Sequence, residues 1–277
     1  MYWGTDDTMS QNKRITHIDT LRGIAVLLMV MVHAAATWNP FETVQPTLIA
    51  YVVSGLGGLA APMFVTLFGW GIVRSQMNLK PRVFQASFLF TAQVLVNLTS
   101  PHLFNPFTPG ILSLMGLLTL ILPFFAPKFK ASNIQLLLVT TVSFFTLQIL
   151  FPELQGMGEW SDRVSDDSIF IIISNVLLTG TYPLFPWILF ALLGSTISFQ
   201  NHDPEQTLPQ TKLTYSALGV GLLFCLATFL YSQYNNDLWA HPTADAYLTF
   251  FPANSAFIVA ATTGVLLIWT FIQRYEL

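Results

Sequence analysis

Apolar stretches of about 20 residues, long enough to cross a bilayer as a helix, recur along almost the whole chain. Of the residues, 53% are hydrophobic and 9% are charged, whereas soluble domains carry roughly 25% charged residues. So few charges cannot cover a water-soluble surface. The pattern predicts an all-α, polytopic transmembrane helix bundle with about eight spans, at residues 20–38, 48–74, 83–99, 109–126, 132–151, 169–198, 213–232 and 253–273.

The second and sixth predicted spans are longer than a bilayer requires. The second contains a glycine-rich segment at residues 55–58, and the sixth contains Gly180 and Pro183. Glycine and proline inside a long apolar run favour a tilted or broken span. We therefore expect a break near each of these two segments.

The distribution of basic residues predicts the orientation. With a cytoplasmic N-terminus, ten of the 11 Lys and Arg residues fall on the cytoplasmic side, and only Arg163 lies in an outer loop. This agrees with the positive-inside rule, and adding or removing one span would destroy the agreement. We expect both termini in the cytoplasm, with a polar N-terminal segment at residues 1–18 and a transmembrane domain at residues 19–277.

Several classes of function have little support. No basic tract with interleaved aromatic residues is present, so no nucleic-acid partner is predicted. Cys225 is the single cysteine, which excludes a disulfide framework and a cysteine-based zinc site. Asp237, His241 and Asp245 are spaced by four residues, but Pro242 interrupts any helix there, so no metal site is predicted.

The first span carries three ionisable residues, which we call the ladder: Asp19, Arg22 and His33. Eleven residues separate Arg22 from His33, so they return to nearly the same helix face about three turns, or roughly 16 Å, apart. Asp19 lies three residues before Arg22 and can pair with it. Ionisable groups inside a span are costly and usually face a bundle interior or a wet cavity.

Each ladder residue also has a simpler interpretation. Arg22 could extend to the inner membrane interface, and His33 could be a packing residue bonded to a neighbouring helix. Because the ladder residues share one helix face, a catalytic role is favoured over these simpler interpretations. A histidine in a low-dielectric cavity can act as a general base near neutral pH or as a nucleophile that forms an acyl-imidazole. Arg22, with Asp19 holding its guanidinium, suits a phosphate or an orienting role.

The arginine and the histidine eleven residues later resemble the first-span signature of the transmembrane acyltransferase superfamily, which is shared with acyltransferase family 3. Residues 18–25 (IDTLRGIA) are similar to the opening of its heparan-α-glucosaminide N-acetyltransferase-like branch. Three further segments resemble motifs of that branch in order: residues 61–71 (APMFVTLFGWG), 109–116 (PGILSLMG) and 182–194 (YPLFPWILFALLG).

The resemblance implies a membrane-embedded acyltransferase that moves an acyl group, often acetyl, from acyl-CoA to a sugar amine or hydroxyl. The family's histidine corresponds to His33 and its arginine to Arg22. The expected partners are the lipid bilayer, acetyl-CoA or another acyl-CoA as co-substrate, and a carbohydrate or glycolipid acceptor. We expect a multi-pass protein of a prokaryotic plasma (inner) membrane, with a homodimer left open.

Two further sets of residues are candidates for binding. A basic cytoplasmic hairpin could attract the phosphates of CoA, or could serve only as positive-inside charge: Arg74, Lys80 and Arg82. Three residues near outer loops or the sixth-span break could face the acceptor, or could belong to solvated loops and the interfacial aromatic belt: His102, Tyr182 and Trp187.

Two other functions stay open on the sequence alone. Broken spans with intramembrane charges also occur in transporters and flippases of small metabolites. The short chain would also be compatible with a catalytically inactive family member, because one fold can host many functions.

Overall fold

A computed structural model describes residues 14–37, 48–75, 77–129, 134–156, 159–200, 203, 206–242 and 246–275. The first 13 residues of the predicted polar segment at residues 1–18 are not among the described residues. The α-helices are α1 (Thr16–Thr37), α2 (Leu48–Gly57), α3 (Ala60–Arg74), α4 (Leu79–Thr99), α5 (Ile111–Phe125), α6 (Ile134–Leu150), α7 (Trp160–Val164), α8 (Ile169–Ser174), α9 (Leu184–Gln200), α10 (Lys212–Asn235) and α11 (Ser255–Tyr275).

Short elements complete the described chain. Two 3₁₀ turns, Ala126–Phe129 and Pro152–Gln155, follow α5 and α6, and a π-helical turn, Asn175–Thr179, continues α8. Two strands of two residues each, β1 (Ala240–His241) and β2 (Leu248–Thr249), pair in parallel between α10 and α11. The all-α fold class is confirmed, since the only sheet within the described residues consists of these two short strands.

Within the described residues, helices overlap all eight predicted spans. Five helices are long and apolar enough to cross a membrane, at residues 16–35, 55–74, 111–129, 212–235 and 255–275. A sixth forms if Ile169–Thr179 and Leu184–Gln200, which meet at a bend of 47°, are one span. Helix α6 is shorter, at 17 residues, and α4 begins with charged residues. The count of eight and the cytoplasmic termini therefore stay predictions.

The structure contains both predicted breaks. Helix α2 ends at Gly57 and α3 begins at Ala60, within the long second span. The sixth span is interrupted between Thr179 and Leu184, where glycine and proline interrupt the helical hydrogen-bond ladder. The sixth run is thus folded as two segments that meet at a bend of 47°, whereas the interruption at residues 58–59 is slight and residues 55–74 still form one helix long enough to cross a membrane.

The central contact of the bundle is the crossing of α3 and α9. A Cβ on Gly69 would collide with the backbone of Ala191, and one on Gly194 would collide with the carbonyl oxygen of Thr66. The hydroxyl of Ser195 donates to the carbonyl of Gly69 across the crossing at 3.3 Å. Small residues at these positions let the two backbones touch, which is how helices commonly associate in a membrane.

Two apolar clusters surround this crossing. One joins α3, α5, α9 and α11 around Trp187, and the other joins α1, α3, α10 and α11 around Trp269. Large apolar side chains such as Phe84 and Phe170 point outward, as expected where lipid replaces water. Helix α3 therefore belongs to both clusters and fixes α1 relative to α9.

Candidate active site

Helix α1 buries one face and exposes the ladder. Its buried apolar residues repeat every three or four positions and pack against α3 and α11: Ile18, Leu21, Ala25 and Leu28. Arg22 and His33 lie on the exposed side of the same helix. Arg22 and His33 therefore share a face, as their spacing predicts, but that face also carries the exposed Val26 and Val30, and the described residues do not enclose it as the bundle interior or cavity expected for the ladder.

Asp19 and Arg22 form the predicted pair. Nη1 of Arg22 donates to Oδ1 of Asp19 at 3.1 Å, and the side chain of Arg14 donates to the other carboxylate oxygen. The hydrogen bond to Asp19 raises the pKa of Arg14, which lies just before α1. Exposed pairs of this kind contribute only about 0–1 kcal/mol to stability. The pair therefore places the Arg22 guanidinium beside Asp19 but adds little to the stability of the fold.

Arg22 also lies against α3. Its Nη2 is 3.6 Å from the position that a Cβ on Gly71 would occupy. One turn further along α3, the guanidinium of Arg74 stacks on the ring of Trp70, 4.7 Å from the ring centroid. Two guanidinium groups, from α1 and α3, are thus held at the same end of the bundle, which the positive-inside rule predicts to be cytoplasmic.

Lys80 and Arg82 lie in the first turns of α4, after a short connection from α3. Lys80 is exposed and Arg82 is half-buried. Neither side chain forms a hydrogen bond or ion pair with another residue in the described part of the chain, although the backbone N–H of Arg82 donates to the carbonyl of Asn78 at 3.3 Å. They share the end of the bundle that carries Arg22 and Arg74, but their predicted role in binding CoA stays a prediction.

His33 lies in the last turns of α1. Its Nδ1 is 2.7 Å from the carbonyl oxygen of Met29, one turn earlier. A carbonyl oxygen only accepts, so Nδ1 carries the proton and Nε2 is the basic nitrogen of the neutral ring. The imidazole is thereby held in the tautomer that suits a general base or nucleophile at Nε2.

Tyr182 and Trp187 meet at the break before α9. Their rings are 5.0 Å apart, edge to face. Trp187 is fully buried and also contacts Phe190, Phe250 and Phe257, while Tyr182 is half-buried. The indole Nε1 of Trp187 has no hydrogen-bond partner among the described residues. Trp187 is thus a core residue in this conformation, and Tyr182 lies half-buried at the margin of the same aromatic cluster.

His102 is exposed in the turn after α4. The same connection is tied to the sixth-span break, because the hydroxyl of Thr181 donates to the carbonyl of Pro109 at 2.9 Å. His102 and Tyr182 therefore belong to the same end of the bundle, opposite to Arg22. Among the described residues, no hydrogen bond, ion pair or ring contact joins His102 to another predicted site residue.

Arg163 has a role that the sequence did not reveal. It is the basic residue predicted to lie in an outer loop, yet it is only 3% exposed. Its guanidinium donates to the carbonyls of Gly156 at 2.8 Å and Thr179 at 3.0 Å, and more weakly to those of Gln155 and Gly180. Burial lowers the pKa of Arg163. Arg163 thus caps the helix that ends at the break.

No group of three or more His, Cys, Asp and Glu residues converges within the described residues. Asp245, one of the three carboxylate and histidine residues weighed above as a metal face, lies outside them.

Taken together, the helices and the ladder define a class: a multi-pass integral membrane protein with ionisable groups along one face of its first span. The model of the heparan-alpha-glucosaminide N-acetyltransferase catalytic family matches residues 14–235. The chain belongs to that family, and the resemblance drawn from the sequence is confirmed. Comparison with curated proteins and with solved structures found no match. The family supports an acetyltransferase-type membrane enzyme.

Proposed function

We propose that this protein transfers an acyl group, in the first instance acetyl, from acyl-CoA to an amine or hydroxyl of a carbohydrate or glycolipid. The observation that carries this proposal is the family match over residues 14–235, which includes the whole ladder. The finer assignments below rest on the geometry of α1. Placement in a prokaryotic plasma (inner) membrane and pairing as a homodimer stay predictions.

His33 supplies the base in the simplest mechanism. Nε2 accepts a proton from the acceptor amine or hydroxyl as that group attacks the thioester carbonyl. The tetrahedral intermediate then collapses, the carbon–sulfur bond breaks, and CoA leaves as a thiolate that takes the proton from the imidazolium. The hydrogen bond from Nδ1 to Met29 supports this role because it presents Nε2 as the basic atom.

The alternative mechanism uses His33 as a nucleophile. Nε2 attacks the thioester carbonyl, CoA leaves, and the acyl group is carried as an acyl-imidazole until the acceptor attacks it. The same tautomer serves both mechanisms. Ping-pong kinetics and exchange of labelled CoA into acyl-CoA without acceptor would identify this route.

Arg22 and Asp19 are proposed to act at the other end of the ladder. Arg22 is about 16 Å from His33 along the helix, too far to contact the same atom of a substrate. Its guanidinium, oriented by Asp19, suits a phosphate group of CoA. Arg74, together with Lys80 and Arg82, would extend this positive surface and raise the local concentration of the anionic donor.

The acceptor is proposed to approach from the opposite end, where His102 and Tyr182 are found. Tyr182 offers an aromatic edge and a hydroxyl beside the break, which suit a sugar ring. Trp187 would contact the acceptor only after a rearrangement of its aromatic cluster, since it is fully buried in this conformation.

The decisive experiment measures transfer of radiolabelled acetyl from acetyl-CoA to glucosamine and other amino-sugar acceptors by the purified protein in nanodiscs. We expect His33→Ala to lower kcat/KM by about 10²–10⁴-fold, the usual contribution of a general base. Val30→Ala, on the same exposed side of α1, is the matched control and should retain full activity.

Transfer by His33→Ala at the wild-type rate, with the fold intact, would overturn the mechanism. Uptake of a sugar or another small metabolite into proteoliposomes that contain no acyl donor would favour the transporter interpretation. Failure of the wild-type protein to bind acyl-CoA would favour an inactive family member.

A further inference from the structure

A buried polar cluster joins three separate parts of the chain at the end of the bundle that carries Arg22. It consists of His17 at the start of α1, Thr207 in the connection between α9 and α10, and Trp269 and Gln273 near the end of α11. All four side chains are at most 3% exposed. Their sequence separations show that the cluster depends wholly on tertiary structure.

Thr207 is the hub of this cluster. Its Oγ1 is 2.6 Å from Nε2 of His17, 3.1 Å from the indole nitrogen of Trp269 and 3.3 Å from Oε1 of Gln273. Gln273 also holds the backbone of Leu208 from both sides: Oε1 accepts from its N–H at 2.8 Å, and Nε2 donates to its carbonyl at 2.9 Å.

The number of protons in the cluster determines the direction of each bond. A threonine hydroxyl has one proton and two lone pairs, and an indole N–H only donates. With Thr207 donating to Gln273 and accepting from Trp269, its second lone pair accepts a proton from Nε2 of His17. The hydroxyl of Thr207 therefore uses its full hydrogen-bonding capacity. A valine side chain at this position could form none of these three hydrogen bonds.

The cluster acts on the helix that carries the ladder. His17 precedes Asp19 by two residues and lies on the buried side of α1, next to Ile18. The apolar residues of that side pack on α3 and α11, but apolar contact is not directional. Hydrogen bonds are directional, so the bond from His17 to Thr207 specifies how α1 is rotated about its own axis.

Rotation of α1 determines where the ladder points. A shift by one residue would turn the helix by about 100° and carry Arg22 away from its place beside Gly71. The same turn would redirect His33. A bond that fixes rotation at the first turn of α1 thereby fixes the direction of both groups.

We infer that Thr207 and Gln273 are positioning residues for the ladder, acting through His17, and that α11 takes part in building the active site. Helix α11 lies beyond residues 14–235, which match the family model. This inference rests on the function proposed above, since it assigns the cluster a role in acyl transfer as well as in folding.

The test compares two substitutions at one position. Thr207→Val keeps the shape but removes the hydroxyl, whereas Thr207→Ser keeps the hydroxyl. We expect Thr207→Val to lower the rate of acetyl transfer roughly tenfold or more, because a misplacement of about 1 Å can cost about 100-fold. Thr207→Ser should restore most of the rate. Gln273→Leu should behave like Thr207→Val.

A second readout does not depend on catalysis. Hydrogen exchange followed by mass spectrometry should show faster exchange at residues 206–211 and in the first turns of α1 for Thr207→Val, but not for Thr207→Ser. Thr108→Val is the matched control. It removes another buried threonine hydroxyl, one that donates to the carbonyl of Val164 near the opposite end of the bundle, and should leave exchange in α1 unchanged.

The possible results are separable. Unchanged exchange in Thr207→Val would show that the cluster does not hold α1, and faster exchange with a wild-type transfer rate would show that it does not position the ladder. Equal loss of activity in Thr207→Val and Thr108→Val would point to general destabilisation and also overturn the inference. Absence of acetyl transfer in the wild-type protein would instead overturn the proposed function, while exchange would still show whether the cluster holds α1.

Discussion

The guanidinium of Arg22 lies beside Gly71, with Nη2 3.6 Å from the position that a Cβ on that glycine would take. This contact joins the first-span ladder to the second-span segment at residues 61–71, two features that are about 50 residues apart in the sequence. It places the glycine-rich end of α3 within the proposed donor-binding region. A Cβ at residue 71 would lie at ordinary contact distance from the guanidinium, so only a side chain larger than that of alanine would displace Arg22.

Substitutions at Gly71 should depend steeply on size. Gly71→Ala places a methyl group at ordinary contact distance from Arg22, so we expect near-normal activity and a gain of about 0.4–1 kcal/mol in stability from the helical alanine. Gly71→Leu should displace the guanidinium and raise the KM for acetyl-CoA. Gly23→Leu is the control, because a Cβ there meets no atom within 4 Å. Equal effects at the two positions would contradict the assignment.

Asp19→Asn should distinguish a role of Asp19 in orienting Arg22 from a role in the stability of the fold. The asparagine keeps the shape but removes the charge that faces Arg22. We expect a loss of less than about 1 kcal/mol in the free energy of unfolding, since the pair is half-exposed. The KM for acetyl-CoA should rise by up to about fivefold, which corresponds to the same energy.

Arg14→Gln is the control for this prediction. Arg14 also bonds to Asp19, but its side chain is 83% exposed and it lies before α1. Its removal leaves the bond between Asp19 and Arg22 in place, so the KM should not change. A larger rise in KM for Arg14→Gln than for Asp19→Asn would show that donor binding had been assigned to the wrong arginine.

The crossing of α3 and α9 should tolerate no side chain larger than the native ones. Gly69→Val would force its methyl groups against the backbone of Ala191, and overpacking of this kind costs about 1–3 kcal/mol or more. We expect a clear drop in the midpoint of unfolding, measured by thermal denaturation in detergent. Gly219→Val, at a position on α10 where a Cβ meets nothing within 4 Å, is the comparison and should change the midpoint far less.

Arg163 should prove to be a stability residue. Arg163→Met would leave the carbonyls of Gly156 and Thr179 without their buried donor, at a cost of about 1–3 kcal/mol for each unsatisfied group. Lys212→Met, which removes an exposed cation, should stay within about 0.5 kcal/mol of wild type. Similar unfolding midpoints for the two variants would show that Arg163 does not support the break before α9.

Parts of the candidate site were accessible to sequence reasoning because they depend on one helix. Asp19 and Arg22 are three residues apart, so helical geometry alone brings them together, and the structure shows the pair. Other segments of the chain also contribute side chains that contact the ladder helix. No spacing in the sequence indicated those contacts. Gly71 beside Arg22, and Thr207 bonded to His17, are contacts between helices, and no local spacing in the sequence encodes them.

Burial was the least predictable property. Arg163 was expected in an outer loop with other polar residues, and it is enclosed by carbonyl groups instead. Trp187 was expected near a cavity or the membrane interface, and it lies at the centre of an aromatic cluster. Hydropathy describes the average preference of a segment, whereas the burial of one side chain depends on which neighbours fold over it.

The sequence by itself determined the helical membrane class, the two breaks and the common face of the ladder. Each of these follows from a period or a run along a single segment: apolar length, the helical repeat, or a glycine and a proline that interrupt a helix. Only the tertiary structure decided how α1 is rotated against its neighbours, which glycine lies beside Arg22, and that α11 contributes Trp269 and Gln273 to the cluster at Thr207. These features depend on distances between helices, and such distances are set by packing of the whole bundle.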